Sequence, residues 1–129
     1  MAGEVLLDSS IVVRFLRSDH AVVSRFPAGA RVRMSSIVIG EVLYGALLAS
    51  RSREETQKVA QFAARCEILP VDAATGQQYA QVKHALRLKG RPIPDNDIWI
   101  AAQALQHGLT LVSRDRHFRD VDGLRIEEW

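Results

Sequence analysis

The sequence predicts an α/β fold in which a mostly parallel central sheet is covered on both faces by helices, a three-layer α/β/α sandwich. Three observations predict it. Short apolar runs suited to strands alternate with longer segments whose apolar residues recur at helical spacing. Serines and aspartates able to cap helix starts stand before those longer segments, and glycines stand behind two of them. Two strand-like runs also end on acids, Asp8 and Asp115, at the carboxyl ends of strands where sheets of this kind place their ligand sites.

Residues 4–8, EVLLD, form the first strand, and Ser9 and Ser10 are candidate N-caps for a helix carrying Ile11, Val12, Phe15 and Leu16 on one face. Residues 31–35 are the second strand candidate. Ser35 or Ser36 can then cap a strongly apolar helix over residues 37–48, which contains Glu41. Ser52 with Glu55 has capping-box spacing ahead of a helix whose face holds Val59, Phe62 and Ala63. A short strand follows over residues 68–71. Asp72 can cap a long helix with Tyr79, Val82 and Leu86 in phase, and Gly90 is placed to end it. In GRPIPDND the prolines disfavour helix, and Asp95 or Asn96 can cap the next one. That helix has Ile98, Ala101, Ala102 and Leu105 on one face, Asp97 in its first turn and Gly108 as its stop. Residues 110–112 are a strand leading to Ser113, Arg114 and Asp115, and residues 124–126 are the last strand candidate.

With 129 residues, residues 1–129 are expected to form a single domain, too short for two cores. A hydrophobic fraction of 47% with 25% charged residues is globular composition, and no apolar run is long enough to span a bilayer. The N-terminal MAGEVLLDSS does not have the pattern of a secretory signal, and the single Cys66 cannot form an internal disulfide. Both features predict a soluble cytoplasmic protein without a membrane partner. A net charge of +2 is compatible with a polyanionic partner without requiring one.

Asp8, Glu41, Asp97 and Asp115 are far apart in sequence, so they can meet only through the tertiary fold. If they do, an oxygen-rich set of this kind suits a hard cation, magnesium in particular, which activates water and neutralises charge on phosphate. Each acid also has a purely structural explanation. Asp8 can start a helix, Asp97 can complement the dipole of its helix, and Asp115 between Arg114 and Arg116 can form a surface ion pair. Glu41 lies among Ile37, Val38, Val42, Leu43 and Leu47, and burial of its charge there is costly unless it is paired or metal-bound. It could also face outward or pair with an arginine.

The segments LLDSS, SSIVIGEVLYGA and IPDNDIWIAAQALQHGLTLVSRD, with the following RHF, resemble the PIN-domain family, especially the VapC-like toxins of type II toxin-antitoxin pairs. The resemblance covers essentially the whole chain in the family's order. It implies the PIN-type α/β/α sandwich and an endoribonuclease that hydrolyses RNA phosphodiester bonds with Mg2+ or Mn2+. It also implies inhibition by a cognate VapB-like antitoxin. By position it assigns the catalytic and metal-binding acidic quartet to Asp8, Glu41, Asp97 and Asp115, hydroxyl positions to Ser10 and Ser113, and an accessory acid to Asp95. His117 stands where relatives can hold another acid, which leaves one or two ions open.

His20, His84, His107 and His117 lack the spacing of a zinc site, and none is assigned to catalysis. Arg87, Lys89 and Arg91, leading into the Asp97 loop, are the best local group for phosphate contacts, although solvated helix faces explain most such charges. The apolar face around Tyr44, Leu47 and Leu48 reads first as core and second as a homodimer contact. Two other classes of function compete with the nuclease. One is a noncatalytic binding domain on the same fold. The other is a phosphotransfer domain, which Ser9 and Ser10 disfavour because the second acid two residues past many phosphatase nucleophiles is absent.

Overall fold

The computed structural model describes residues 4–26 and 32–129. Among these residues the chain runs β1 (Val5–Leu7), α1 (Ser9–Leu16), α2 (His20–Val23), β2 (Val32–Ser35), α3 (Ser36–Leu48), α4 (Ser52–Ala63), β3 (Glu67–Leu69), α5 (Ala73–Leu88), α6 (Asp95–His107), β4 (Thr110–Val112), a 3-10 helix (Arg116–Asp120) and β5 (Ile126–Glu127). The strands form one sheet in the order β3-β2-β1-β4-β5, and every pairing is parallel. The helices make this an α/β/α sandwich, as the alternation of elements predicts. Parallel neighbours need long crossovers, which the helices supply.

β1 is central. Val5, Leu6 and Leu7 are all buried, as expected for a strand covered on both faces. The chain builds outward on one side of β1 through β2 and β3, then returns to its other side through β4 and β5. The order therefore reverses between β1 and β4, and the crevice beyond their carboxyl ends is where such sheets bind ligands. Leu7 pairs with Val112, so the next residues, Asp8 and Ser113, emerge side by side into that crevice. Val38 and Val42 from α3, Ile98, Ile100 and Ala101 from α6, and Phe118 from the 3-10 helix pack into the core with the strands.

Several local expectations need correction. The cap of α1 is Asp8, whose carboxylate accepts the Ile11 N–H, rather than Ser9 or Ser10. Of the two expected candidates, Ser35 is the one that caps α3, accepting the Ile37 N–H. The capping box at Ser52 and Glu55 does not form: Arg51 occupies the cap position without a side-chain bond, and Glu55 lies near Lys58 instead. The cap position of α6 is Pro94, so Asp95 and Asn96 lie inside the helix rather than ahead of it. β3 begins and ends earlier than expected, and β5 later. Residue 31 of the second strand candidate lies outside the described residues.

Asp72 does cap α5, in a capping box with Thr75, and Gly108 at φ 63° closes α6 in the left-handed conformation that glycine adopts without a Cβ penalty. The expected core face at Tyr44, Leu47 and Leu48 is instead exposed, at 65%, 65% and 69% of full accessibility. α3 is apolar all round and buries Val38, Val42 and Ala46, spaced four apart, leaving the opposite apolar face to solvent. Among the described residues no helix is long and apolar enough to cross a membrane.

Candidate active site

Three helix starts and one helix interior carry the four acids to the crevice. Asp8 caps α1, Asp97 lies in the first turn of α6, and Asp115 caps the 3-10 helix. Glu41 comes from α3, the helix that begins directly at the end of β2. Helix N-termini carry positive partial charge, which helps to hold carboxylates in such a cluster.

Asp8 is the most enclosed of the four and is 4% exposed. One carboxylate oxygen accepts the Ser10 hydroxyl at 2.9 Å and the Ile11 N–H at 3.0 Å, and the other accepts the Ser113 hydroxyl in a short bond. Ser113 Oγ in turn accepts the Asp115 N–H at 3.0 Å, so one hydroxyl ties the β1 acid to the β4 acid. The parallel register that places Ser113 beside Asp8 is the local cause of this link. Ser10 and Ser113 therefore both contact the same carboxylate.

Asp97 and Asp115 meet at His117. The His117 Nδ1 lies 3.3 Å from Asp97 Oδ2 and 3.2 Å from Asp115 Oδ1, and the three side chains offer donor atoms within 4.8 Å of one another. Glu41 is half-buried rather than enclosed. It accepts the Ser9 hydroxyl at 3.1 Å and the Asn96 amide at 3.4 Å. Asp95 points elsewhere, accepting from Tyr79 at 2.9 Å and Lys83 at 3.0 Å, and these partners hold its carboxyl below the ordinary range.

The electrostatics are those of carboxylates placed together, with His117 beside two of them. Burial raises the Asp8 pKa above its usual value, opposed by bonds from Ser113, Ile11 and Ser10, with Asp115 adding repulsion. Burial also raises Asp97, opposed by His117, while Asp115 and Glu41 both repel it. Asp97 is thus electrostatically coupled to both Asp115 and Glu41, and Asp115 to Asp8. The fold thus brings the four acids within electrostatic reach of one another in the series Glu41, Asp97, Asp115, Asp8.

Sequence reasoning missed the part that three residues play in this cluster. Ser9 and Asn96 each precede or follow a predicted acid by one position, and their bonds to Glu41 span 32 and 55 residues of chain. His117 was marked only as standing where relatives can hold another acid, and its contact with Asp97 was missed because that partner lies on another element. Lys89 binds Asp122 at 2.5 Å and the Asp120 carbonyl at 3.0 Å, so the basic group before the Asp97 loop is partly engaged away from the crevice.

The PIN domain family profile matches residues 5–124. The chain belongs to the PIN-domain family. It is 34% identical over 127 residues to "Ribonuclease VapC2" of Haemophilus influenzae, covering 96% of each chain. It is 33% identical over 101 residues to "tRNA(fMet)-specific endonuclease VapC" of Salmonella typhimurium, covering 78% of this chain and 76% of that protein. The crystal structure of DNA-bound VapBC from Salmonella typhimurium superposes on it with a TM-score of 0.92 at 29% identity, over 98% of both chains. These relatives place the PIN domain described above in the VapC branch of the family.

Proposed function

We propose that this PIN domain is the ribonuclease toxin of a VapBC-type pair, acting in the cytoplasm. It would hydrolyse RNA phosphodiester bonds with Mg2+ or Mn2+ held by Asp8, Glu41, Asp97 and Asp115. The observation that carries the proposal is the meeting of Asp97 and Asp115 beside Asp8 and Glu41 at the switch point of the sheet, with two of these carboxylates raised in pKa by burial and mutual repulsion. The names of the relatives support RNA as substrate and an antitoxin as partner. Hard oxygen donors on separate elements, with excess negative charge, fit a small divalent cation.

When bound, such a cation would supply positive charge for the phosphate and lower the pKa of an attacking water. The chain's own part is positioning. Ser10, Ser113 and the start of α1 fix the Asp8 carboxylate, and Ser9 and Asn96 orient Glu41. No side-chain nucleophile is required.

The test is cleavage of tRNA by the purified chain. Cleavage is expected with added magnesium or manganese, and excess chelator should abolish it reversibly. Chelator-resistant cleavage, or no cleavage of any RNA by folded protein from which the antitoxin has been removed, would refute the proposal.

A groove between α1, α3 and α4 shares Ser9 and Glu41 with the acidic crevice. Val13, Leu16 and Val42 give it apolar walls, with Arg17 and Arg51 among its charged residues. An antitoxin segment lying there would reach the carboxylates, where an arginine could bind in bidentate fashion. Gly45 lines the groove, and a Cβ built on it meets nothing within 4 Å. Gly45→Gln should therefore project into the groove without disturbing α3 and weaken antitoxin binding about tenfold while cleavage persists. Titration of the copurified antitoxin against cleavage measures this, and unchanged inhibition would remove the groove from the interface.

A further inference from the structure

The resemblance-based quartet consists entirely of oxygen donors, but the crevice holds a nitrogen as well. His117 follows Asp115 by two residues in the 3-10 helix, and its backbone N–H is bonded to Asp115 Oδ1 at 2.9 Å. The next residue, Phe118, is 1% exposed and anchors the helix in the core. The imidazole is therefore held at its base on both sides while its ring remains half-exposed at 51%. Among the described residues, His117 is the histidine that shares a potential cation-binding group with carboxylates.

The separations are informative. Metal–ligand bonds of about 2.1 Å put neighbouring ligands about 3.0 Å apart in an octahedron and about 3.4 Å apart in a tetrahedron. Nδ1 lies 3.3 Å and 3.2 Å from the two carboxylate oxygens, inside that interval without rearrangement. A purely electrostatic partner of two acids would need only a positive charge. An imidazole whose Nδ1 faces the same point as two carboxylates is also placed as a ligand, and imidazole favours first-row transition ions where carboxylate and water suit magnesium.

We propose that His117 is a nitrogen ligand to the divalent cation of this crevice, which biases the site toward transition ions over magnesium. The inference rests on the metal-dependent reading above and adds one donor and a metal preference to it. His117 is a specificity-determining residue for the metal, and the four carboxylates remain the main source of affinity.

The experiment uses the full chain freed of metal by chelation, with manganese and magnesium as probes. Calorimetry measures both affinities, and pulsed electron paramagnetic resonance of bound Mn2+, with and without 15N-labelled histidine, reads direct nitrogen coordination. Histidine nitrogen coupling to Mn2+ is expected in the parent. In His117→Ala it should vanish, with Mn2+ affinity falling about tenfold and Mg2+ affinity falling less than about threefold. His20, His84 and His107 remain as internal controls. His117→Gln, which keeps bulk and a polar tip, should behave like the alanine variant, separating ligation from packing. Bound Mn2+ without nitrogen coupling, or equal Mn2+ affinity in parent and variants, would overturn the His117 assignment and leave the metal-dependent reading standing. Failure of the parent to bind either ion would overturn both.

Discussion

Asp97→Asn is expected to lower RNA cleavage about a thousandfold while the chain stays folded. The first half follows from where the carboxylate sits. It is 18% exposed, lies within ligand distance of Asp115 and His117, and is repelled by both Asp115 and Glu41. A charge kept under that burial and repulsion is one whose removal weakens cation binding. The second half follows from the helix. The cap position of α6 is Pro94 with no side-chain bond, so the substitution removes no cap, and the amide keeps the size of the acid. Ile98, Ile100 and Ala101 continue to pack α6 against the sheet. Asp95→Asn is the internal control. Asp95 binds Tyr79 and Lys83 rather than the crevice, so its amide variant should retain cleavage within about threefold. Circular dichroism, melting in chelator and initial cleavage rates of both variants make the comparison. Full activity in folded Asp97→Asn protein would remove Asp97 from the site, and equal losses in both variants would show that the control carboxylate also acts.

The parts of this centre that were legible in the sequence are those fixed by local chemistry. An apolar run ending at Asp8, and another ending before Ser113 and Asp115, were enough to place both acids at strand ends, because a strand must finish where the apolar run does. Gly108 was enough to end α6, because only a residue tolerant of positive φ closes a helix in that way. What stayed hidden was decided by competition between equivalent groups or by contacts across the fold. Asp8, Ser9 and Ser10 can all cap a helix, and the extended conformation at residue 8 selects the aspartate and frees Ser9 for Glu41. Glu55 was equally available for a capping box or an ion pair, and it lies near Lys58. α3 is apolar on every side, so periodicity could not tell its buried face at Val38, Val42 and Ala46 from its exposed one at Tyr44, Leu47 and Leu48. Nor could spacing bring His117 to Asp97, since they lie on different elements and meet only once α6 and the 3-10 helix pack together.

In chelator, the contribution of Asp8 and Asp97 to stability should fall as pH rises from the ordinary carboxylate range toward neutrality, and magnesium should offset that loss. Asp8 and Asp97 both have folded pKa values raised above the ordinary carboxylate value of 3.8, chiefly by burial. Between 3.8 and the raised values the folded state therefore binds more protons than the unfolded state, so the slope of stability against pH from these groups is negative. Above that window the penalty is complete and constant. A cation that binds only the folded chain offsets it, and at about one hundred times its dissociation constant contributes about 2.7 kcal/mol, which corresponds to about 10 °C in melting temperature for a chain of this size. Asp8→Asn isolates one acid from this behaviour. The asparagine carbonyl can still accept the Ile11 N–H as a helix cap, and its amide can donate to Ser113, so the metal-free variant should melt close to the parent or above it at neutral pH. Its pH dependence in chelator should be shallower, and its gain from magnesium should fall to about half or less of the parent's gain, since one buried oxygen ligand carries no charge. Melting curves of both proteins in chelator from pH 4 to 8, as a range of about four units, and across a magnesium titration at neutral pH supply the comparison. If the variant gains as many degrees from magnesium as the parent, Asp8 does not hold the ion. If the metal-free pH dependence of the variant is as steep as that of the parent, burial does not raise the pKa of Asp8.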